Sequence, residues 1–444
     1  MGHSAMYKFF IETYGCQMNA YDSNIIAALM TMAGFERTYE SSDADILIFY
    51  TCNVREKAAK KVFSNIGLLR SEKTKVIAVG GCVPQAEKNM IFKCKHIDIA
   101  FGPSAYRKLP AYVSKILNDE EDRILDVELT QSSKFDCCNA ERTVSRSEFV
   151  TIQEGCDNYC SYCVVPYTRG KEYSRPAADI ISEVKMLLAK GAQEITLLGQ
   201  NVNSYNGDAP YISIGKPRGS WNFERLLQEV AESDGLKRLR YTTSHPKDVT
   251  VGLMKKHAQI DILAPFAHIP AQSGSDRILK LMNRRYVAQE YIDKLNMFRD
   301  ICPAIQFSSD FIVGFPTETA DDFEDTLKLV REVGYLSSYS FKYSPRSDTP
   351  AATMSGQIHD TIKAKRLDIL QRELMRSQTL HNESIVGKTM ETLFDKPGKK
   401  SMQYVGKNVY MQSVIVESDI DLTGKFGMVL IEKAFKNSVF GRLV

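Results

Sequence analysis

The first part of the chain alternates short apolar runs with longer amphipathic stretches. Between residues 7 and 130 this pattern predicts strands and helices in turn. Such alternation is typical of a parallel, doubly wound sheet with helices on both faces, in an α/β fold. The strands are expected at residues 7–14, 45–51, 75–80, 96–101 and 124–129, and the helices at 20–32 and 55–70.

From residue 149 the alternation resumes with longer units. Six strand and helix units predict a partial (β/α)6 barrel that is open on one side. Thr319 is expected to cap the last of these helices at its N-terminus. The strands are expected at 149–153, 194–199, 238–243, 266–270, 305–313 and 338–343, and the helices at 179–190, 223–233, 275–282, 289–302 and 321–333.

From about residue 378 the helical period is lost. Short β-type runs at 390–394, 409–416 and 427–431 predict a small β-barrel. Residues 387–444 hold nine Lys or Arg against six Asp or Glu, together with Tyr404, Tyr410, Phe426 and Phe435. This composition is compatible with nucleic-acid binding through phosphate contacts and stacking. A solvated face that binds nothing fits the composition equally well.

The overall composition is that of an ordinary globular protein. Of 444 residues, 43% are hydrophobic and 25% charged, and no apolar run approaches the ~20 residues that a membrane span needs. Met1 to Ala5 read as a short addition before a start at Met6, and no signal-peptide pattern follows. We therefore expect a soluble, cytoplasmic protein whose ten cysteines serve metal ligation and not disulfides. A net charge of +3 restricts any RNA site to a local patch.

Three cysteines, Cys156, Cys160 and Cys163, stand in the order C-x-x-x-C-x-x-C, and we call them the loop cysteines. Thiolates are soft ligands that select iron-sulfur clusters or zinc. Three thiolates hold three corners of a cubic cluster and leave one iron open to a small chelating substrate. The alternative is a zinc knuckle, but structural zinc usually takes four ligands from paired units, and no partner pair lies nearby.

A second set, Cys16, Cys52 and Cys82, follows the first three predicted strands of the N-terminal half, and we call these the strand-end cysteines. The carboxyl ends of parallel strands lie along one edge of a sheet, so three thiols distant in sequence are expected to meet there. Chance burial of cysteine is the alternative. The remaining cysteines show no such pattern and are interpreted as core or surface thiols: Cys94, Cys137, Cys138 and Cys302.

Polar motifs fall at the expected carboxyl ends of the barrel strands, where chemistry gathers in such barrels. They occupy residues 199–203, 242–246, 272–275 and 313–316. His245 lies in one of them, although a lone histidine is more often structural than catalytic.

The segments GCDNYCSYCVVPYTRGKEYSRP and TYGCQMNAYDS resemble the MiaB branch of the radical S-adenosylmethionine (SAM) methylthiotransferase family, and the resemblance extends over essentially the whole chain. It implies a methylthiotransferase N-terminal domain at 6–130, a linker at 131–148, a radical SAM domain at 149–377 and a TRAM RNA-binding domain at 378–444. Members of this branch add a methylthio group to carbon 2 of a tRNA adenosine that carries an N6-dimethylallyl group next to the anticodon.

The resemblance also implies two 4Fe-4S clusters, one bound by the loop cysteines together with SAM, and an auxiliary one bound by the strand-end cysteines. One SAM would methylate a sulfur at the auxiliary cluster, and a second would yield the 5′-deoxyadenosyl radical that removes hydrogen from the base. The implied partners are the tRNA anticodon stem-loop, an electron donor and a sulfur source, with the enzyme acting as a monomer. The SAM contacts implied are Gln200, Asn201, Ser244, Gln272 and Asp310.

Two other functions stay open at this point. A sister branch methylthiolates threonylcarbamoyladenosine in tRNA, and its members differ in the same segments. A protein of another class would bind RNA without catalysis and use its clusters structurally.

Overall fold

The computed structural model describes residues 7–53, 56–129, 135, 142–210 and 219–444. Cys137, Cys138 and most of the expected linker at 131–148 lie outside these residues. Among the helices described, none is both long enough and apolar enough to cross a membrane.

Six parallel strands form the N-terminal sheet: β1 (Lys8–Thr13), β2 (Glu36–Arg37), β3 (Ile46–Thr51), β4 (Val76–Gly81), β5 (Ile99–Phe101) and β6 (Ile124–Asp126). Their spatial order is β2-β1-β3-β4-β5-β6. The helices are α1 (Gln17–Met32), α2 (Glu56–Leu69), α3 (Cys82–Glu87) and α4 (Leu109–Leu117). Helices α1 and α4 pack on one face of the sheet, and α2 and α3 pack on the other. The predicted doubly wound sheet is confirmed, although β2, α3 and α4 were not predicted.

The central region has six parallel strands in two three-stranded sheets: β7 (Ser147–Thr151), β10 (Glu194–Leu198) and β13 (Arg238–Thr242), then β14 (Phe266–His268), β15 (Gln306–Val313) and β16 (Ser337–Lys342). A parallel bridge joins Leu239 on β13 to Leu263, three residues before β14. Short paired strands lie beside them: β8 (Gln153–Glu154) with β9 (Tyr173–Ser174), and β11 (Asn206–Asp208) with β12 (Ser220–Asn222). The predicted partial barrel is confirmed.

Eight helices accompany these strands: α5 (Val165–Thr168), α6 (Ala177–Ala189), α7 (Phe223–Ala231), α8 (Val251–Gln259), α9 (Asp276–Leu281), α10 (Ala288–Ile301), α11 (Ala320–Val333) and α12 (Asp360–Ser384). Helix α11 begins as predicted, because the Thr319 hydroxyl accepts the Asp322 N–H at 3.2 Å. Helices α5, α8 and α12 were not predicted. The helical period does not end at residue 378, since α12 continues to Ser384.

The C-terminal strands β17 (Thr389–Pro397), β18 (Gln403–Asn408), β19 (Ser413–Glu417), β20 (Phe426–Ala434) and β21 (Ser438–Leu443) close into a barrel. The predicted barrel is confirmed, but the run 409–416 is only partly a strand. Asn408 accepts hydrogen bonds from the N–H groups of Tyr410 and Gln412 and so turns the chain between β18 and β19.

The C-terminal barrel docks against the amino ends of β10 and β13. Buried Glu194 accepts hydrogen bonds from Arg238 and Arg240, both at 3.0 Å. Arg240 in turn donates to the Asn408 and Val409 carbonyls, each at 2.7 Å. These contacts hold the small barrel at the end of the central barrel opposite to the loop cysteines.

Two of the aromatic residues proposed for stacking serve this junction instead. The Phe426 ring lies 4.8 Å from the Arg238 guanidinium carbon, and the Tyr410 hydroxyl donates to the Ala304 carbonyl at 3.1 Å. Both rings are half-buried at this junction, whereas Phe435 is exposed.

Candidate functional site

The structure brings the strand-end cysteines to one edge of the N-terminal sheet. Cys16 precedes α1, Cys52 follows β3 and Cys82 opens α3, while β1, β3 and β4 are neighbours in the sheet. Gly15 has a φ of +112°, and a Cβ there would collide with the Cys52 side chain, so only glycine permits this approach. A hydrogen bond with Cys52 lowers the pKa of the Cys16 thiol to about 6. One thiol of the set is therefore readily available as a thiolate.

The loop cysteines lie beyond the carboxyl end of β7. The Cys163 N–H donates to the Cys160 carbonyl at 2.9 Å, and the Asn158 amide lies 3.4 Å from the Cys156 sulfur. Burial, and next the nearby Cys160 thiol, raise the pKa of Cys163 to about 12. Bare thiolates are thus disfavoured in this loop. Bound cations would offset that cost, as expected of ligands whose charge a metal compensates.

Arg284 is a buried residue at this loop that the sequence reasoning missed. It lies directly after α9, with its guanidinium 3.5 Å from the Cys160 sulfur and 2.8 Å from the Pro270 carbonyl. Burial opposes its charge, but Tyr286, Tyr162 and Cys160 around it raise the pKa of Arg284 well above its usual range. Arg284 therefore supplies a fixed positive charge beside a loop cysteine. The signal in the sequence was the pair Arg284-Arg285 shortly after α9.

Buried Arg169 connects the two halves of the site. It donates to Glu154 at 2.5 Å, next to the loop cysteines, and to Asn19 and Asp22 on α1 at 3.0 and 3.3 Å. Burial opposes its charge, but Cys82 and Asp22, followed by Glu154, raise the pKa of Arg169 well above its usual range. A single guanidinium therefore fixes the position of α1, and with it Cys16, relative to the loop cysteines. Sequence reasoning did not assign this residue a role.

Two of the five predicted SAM contacts follow β10. The Gln200 side chain accepts the Gly155 N–H at 2.6 Å and also contacts Met18 on α1. Asn201 is buried, and its amide donates to Asp248 at 2.7 Å and accepts the His245 N–H at 2.9 Å. The geometry gives both residues a positioning role in the loops around the site, and direct contact with SAM stays a prediction for them.

The other three predicted SAM contacts lie on or after β13, β14 and β15. Ser244 and Gln272 are buried, and within the described chain the Ser244 hydroxyl and the Gln272 carbonyl oxygen have no hydrogen-bond partner. Gln272 has a φ of +73°, and its N–H donates to the Asp310 carbonyl at 2.9 Å. Unpartnered buried polar atoms are rare, so these two fit a ligand that supplies the missing hydrogen bonds.

His245 is buried in the same region, and its Nδ1 accepts the Lys247 N–H at 3.2 Å. Burial, and next the charge of Arg284, lower the pKa of His245 to about 2. The imidazole therefore stays neutral and serves as a structural cap.

The chemistry of both donor sets fits iron-sulfur clusters. Among the described residues, no group of three His, Cys, Asp or Glu side chains is arranged to hold one metal ion. The thiols of a cubic cluster each bind a different iron and are spaced more widely than the ligands of one ion. All cysteines of both sets are free of disulfides, and soft thiolates are the ligands that iron-sulfur clusters require.

The inner face of the second sheet forms an open, partly apolar wall, which we call the inner wall. On β15, Phe307 and Phe311 pack into the core beneath the helices, so Asp310 points to the opposite face, inside the barrel. Asp310 is paired with Tyr339 on β16, which is 56% exposed, and Phe341 lies on the same face at 38%. The wall thus offers two accessible rings next to Asp310.

A histidine completes the inner wall. The Nε2 of His268 lies 3.5 Å from the Asp310 carboxylate, and its ring centroid lies 6.3 Å from that of Tyr339. The wall therefore combines apolar rings with a polar pair, as ligand-binding sites commonly do. Sequence reasoning had assigned only Asp310.

Comparison with known proteins shows the family to which the chain belongs. Three family profiles match the chain: "Uncharacterized protein family UPF0004" at residues 8–102, "Radical SAM superfamily" at 150–330 and "TRAM domain" at 383–444. The tRNA-2-methylthio-N(6)-dimethylallyladenosine synthase of Zymomonas mobilis is 44% identical over 447 aligned residues, covering 100% of this chain and 98% of its own. The chain belongs to this synthase family. The synthase of the same name from Maricaulis maris is 45% identical, covering 98% of this chain and 97% of its own.

A solved structure supports the fold over most of the chain. The radical SAM methyltransferase TsrM from Kitasatospora setae matches with a TM-score of 0.57 at 13% identity, covering 78% of this chain and 75% of its own. At this identity the likeness concerns the fold alone. The expectation of a radical SAM methylthiotransferase, a transferase that uses SAM and two 4Fe-4S clusters, is confirmed by the family.

Proposed function

We propose that this protein adds a methylthio group to carbon 2 of N6-dimethylallyladenosine next to the anticodon of tRNA. The observation that carries the proposal is the full-length relationship to synthases of that name, combined with two sets of three free cysteines. The sister activity on threonylcarbamoyladenosine and a purely structural RNA-binding role are the alternatives, and no feature of the described chain favours either.

The residues divide the work by position. The loop cysteines would hold the cluster that binds SAM, and the strand-end cysteines would hold the auxiliary cluster. When bound, these groups supply the reductive cleavage of SAM and the sulfur that is transferred. Arg284 holds a positive charge at the Cys160 sulfur, and Arg169 keeps the two cysteine sets in a fixed relation. Ser244 and Gln272 offer unpartnered polar atoms to SAM.

The inner wall is suited to the prenylated base. Tyr339 and Phe341 expose rings that an apolar dimethylallyl chain can cover, at ~0.8 kcal/mol per buried CH2. Ordering the chain and the RNA loop offsets part of this contribution. The target base must also leave its stack, which costs a few kcal/mol, and less in a flexible loop than in a duplex.

The TRAM domain would contact the stem-loop, while an external electron donor and an external sulfur source would complete the reaction. We propose a monomer that acts in the cytoplasm, where tRNA is modified. We also propose domain limits at 6–130, 149–377 and 378–444, with a linker at 131–148.

The test is competition between prenylated and unprenylated anticodon stem-loops on anaerobically reconstituted protein. We expect roughly eight irons per chain, from two four-iron clusters, and reductive cleavage of SAM. Methylthiolation of the prenylated loop should be favoured by about ten-fold or more, which corresponds to ~1.4 kcal/mol. Equal reaction of both loops, or preference for a threonylcarbamoylated loop, would contradict the substrate assignment. Bound zinc without SAM turnover would contradict the enzyme.

A further inference from the structure

A cavity of 220 Å³ lies beside the candidate site, between the loop after β13 and the start of α10. Three of its lining residues are the cations Lys247, Arg285 and Lys294, and we call this cavity the basic pocket. Tyr286 also lines it. No residue of the basic pocket belongs to either cysteine set or to the predicted SAM contacts.

The cations of the basic pocket are largely uncommitted. Within the described chain, the Arg285 guanidinium makes no hydrogen bond or ion pair, and its exposed backbone has a φ of +44°. Lys247 has only a loose contact with Asp248, at 3.9 Å. Lys294 donates to the Pro246 carbonyl at 2.6 Å, which leaves two of its three protons free.

Two acidic groups at the basic pocket, Glu290 and Asp248, each accept a hydrogen bond from a neutral donor. Glu290 lines the cavity, but its carboxylate accepts the Val287 N–H at 3.3 Å and caps α10. The Asp248 carboxylate accepts the Asn201 amide at 2.7 Å. The three cations of the basic pocket outnumber these two carboxylates, which keep their negative charge.

The positive charges of the basic pocket also affect the neighbouring His245 imidazole. Burial lowers the pKa of His245, and the charges of Arg284, Lys247, Lys294 and Arg285 lower it further. Four cations thus act on one point next to the cavity. A region of this sign, lined by lysine and arginine, is complementary to a phosphate.

The basic pocket is also placed for the substrate. Its Lys247 follows Ser244 by three residues, and its Arg285 adjoins Arg284, whose guanidinium lies 3.5 Å from the Cys160 sulfur. A base inserted between the two cysteine sets brings its own backbone phosphates to the rim of the site. Through these neighbours the basic pocket lies beside the site.

We propose that the basic pocket binds a backbone phosphate of the tRNA anticodon loop adjacent to the target nucleotide. This inference rests on the proposed function, because it takes the tRNA loop as the ligand. Lysine acts on phosphate as a point charge, and arginine can form two parallel hydrogen bonds to it. The contact positions the RNA and carries no base specificity.

The test measures binding of a prenylated anticodon stem-loop by the full chain with both clusters. In the variant Lys247→Ala/Arg285→Ala we expect Kd to rise about 10-fold and the slope of log Kd against log salt to fall by about 0.7 for one lost phosphate contact. The matched control is Lys73→Ala, which removes an exposed lysine paired with Asp43 at the opposite edge of the N-terminal sheet. The control should leave Kd and slope unchanged.

Neutral linkages sharpen the test. Methylphosphonates are placed singly at the two phosphates that flank the target nucleotide. One of them should weaken binding to the wild type about 10-fold and have no further effect on the double variant. A folded double variant that keeps the wild-type Kd and salt dependence would overturn the proposal. A double variant with a raised KM for SAM and an unchanged Kd for the stem-loop would also overturn it. If the stem-loop binds tightly, and the double variant weakens this binding, but no methylthiolation occurs, the proposed function is contradicted and the phosphate site is not.

Discussion

Replacement of Arg169 tests whether one guanidinium holds the two cysteine sets together. The side chain is 3% exposed and contacts Glu154 and Asp22, which are 10% and 0% exposed. In Arg169→Met, the two carboxylates keep their burial and lose their shared cation. Removing one member of a buried ion pair typically costs about 3–5 kcal/mol.

The effect should be local to α1, because Asp22 and Asn19 lie on that helix. A loss of about 3 kcal/mol corresponds to an increase of roughly 100-fold in the population of the open state. Hydrogen exchange with mass spectrometry should therefore show faster exchange in peptides of α1. Peptides of α12, in the same sample, provide the internal reference.

Arg169→Lys is the conservative control, since lysine keeps one charge but cannot span both carboxylates. We expect exchange in α1 between that of the wild type and that of Arg169→Met. If α1 in a folded Arg169→Met variant exchanges within about three-fold of the wild type, the bridging role of Arg169 is refuted.

Two further predictions concern acid stability and the inner wall. Burial lowers the pKa of His257 to about 3, so below pH ~6.5 the unfolded chain binds a proton that the folded protein does not. The free energy of unfolding therefore decreases as the pH falls from ~6.5 to about 3, by up to ~1.4 kcal/mol per pH unit. Urea titrations at several pH values should show that the free energy of unfolding of His257→Gln decreases less with falling pH than that of the wild type. Identical pH dependence in the two proteins would count against a neutral imidazole. Tyr339→Ala/Phe341→Ala should raise the KM for the prenylated stem-loop about 10-fold and that for the unprenylated loop less. Tyr39→Ala, an exposed ring on the N-terminal domain, should change neither, and equal effects on both loops would remove the inner wall from prenyl recognition.

The architecture was largely predictable from the sequence because its strands are strongly patterned. Strands β3 and β4 are fully buried and therefore appear as continuous apolar runs. Helix α12 was missed because it buries only Lys363, Leu370, Leu374 and Asn382 along 25 residues, which leaves a weak periodic signal. Its many strong helix formers were the available clue.

The candidate site was predictable only where spacing or strand ends defined it. The meeting of Cys16, Cys52 and Cys82 follows from parallel topology alone. Arg169 and Arg284 could not be assigned, because their partners lie on elements distant in sequence. The inner wall required the register of β15 with β16, which pairs Asp310 with Tyr339.

The central claim is a division of labour between the two cysteine sets, and a pair of triple variants tests it most directly. Changing all loop cysteines to Ala should abolish formation of 5′-deoxyadenosine from SAM. Changing all strand-end cysteines to Ala should spare that cleavage and stop sulfur insertion into the prenylated stem-loop. Loss of SAM cleavage in both triple variants, with folding intact, would contradict the account.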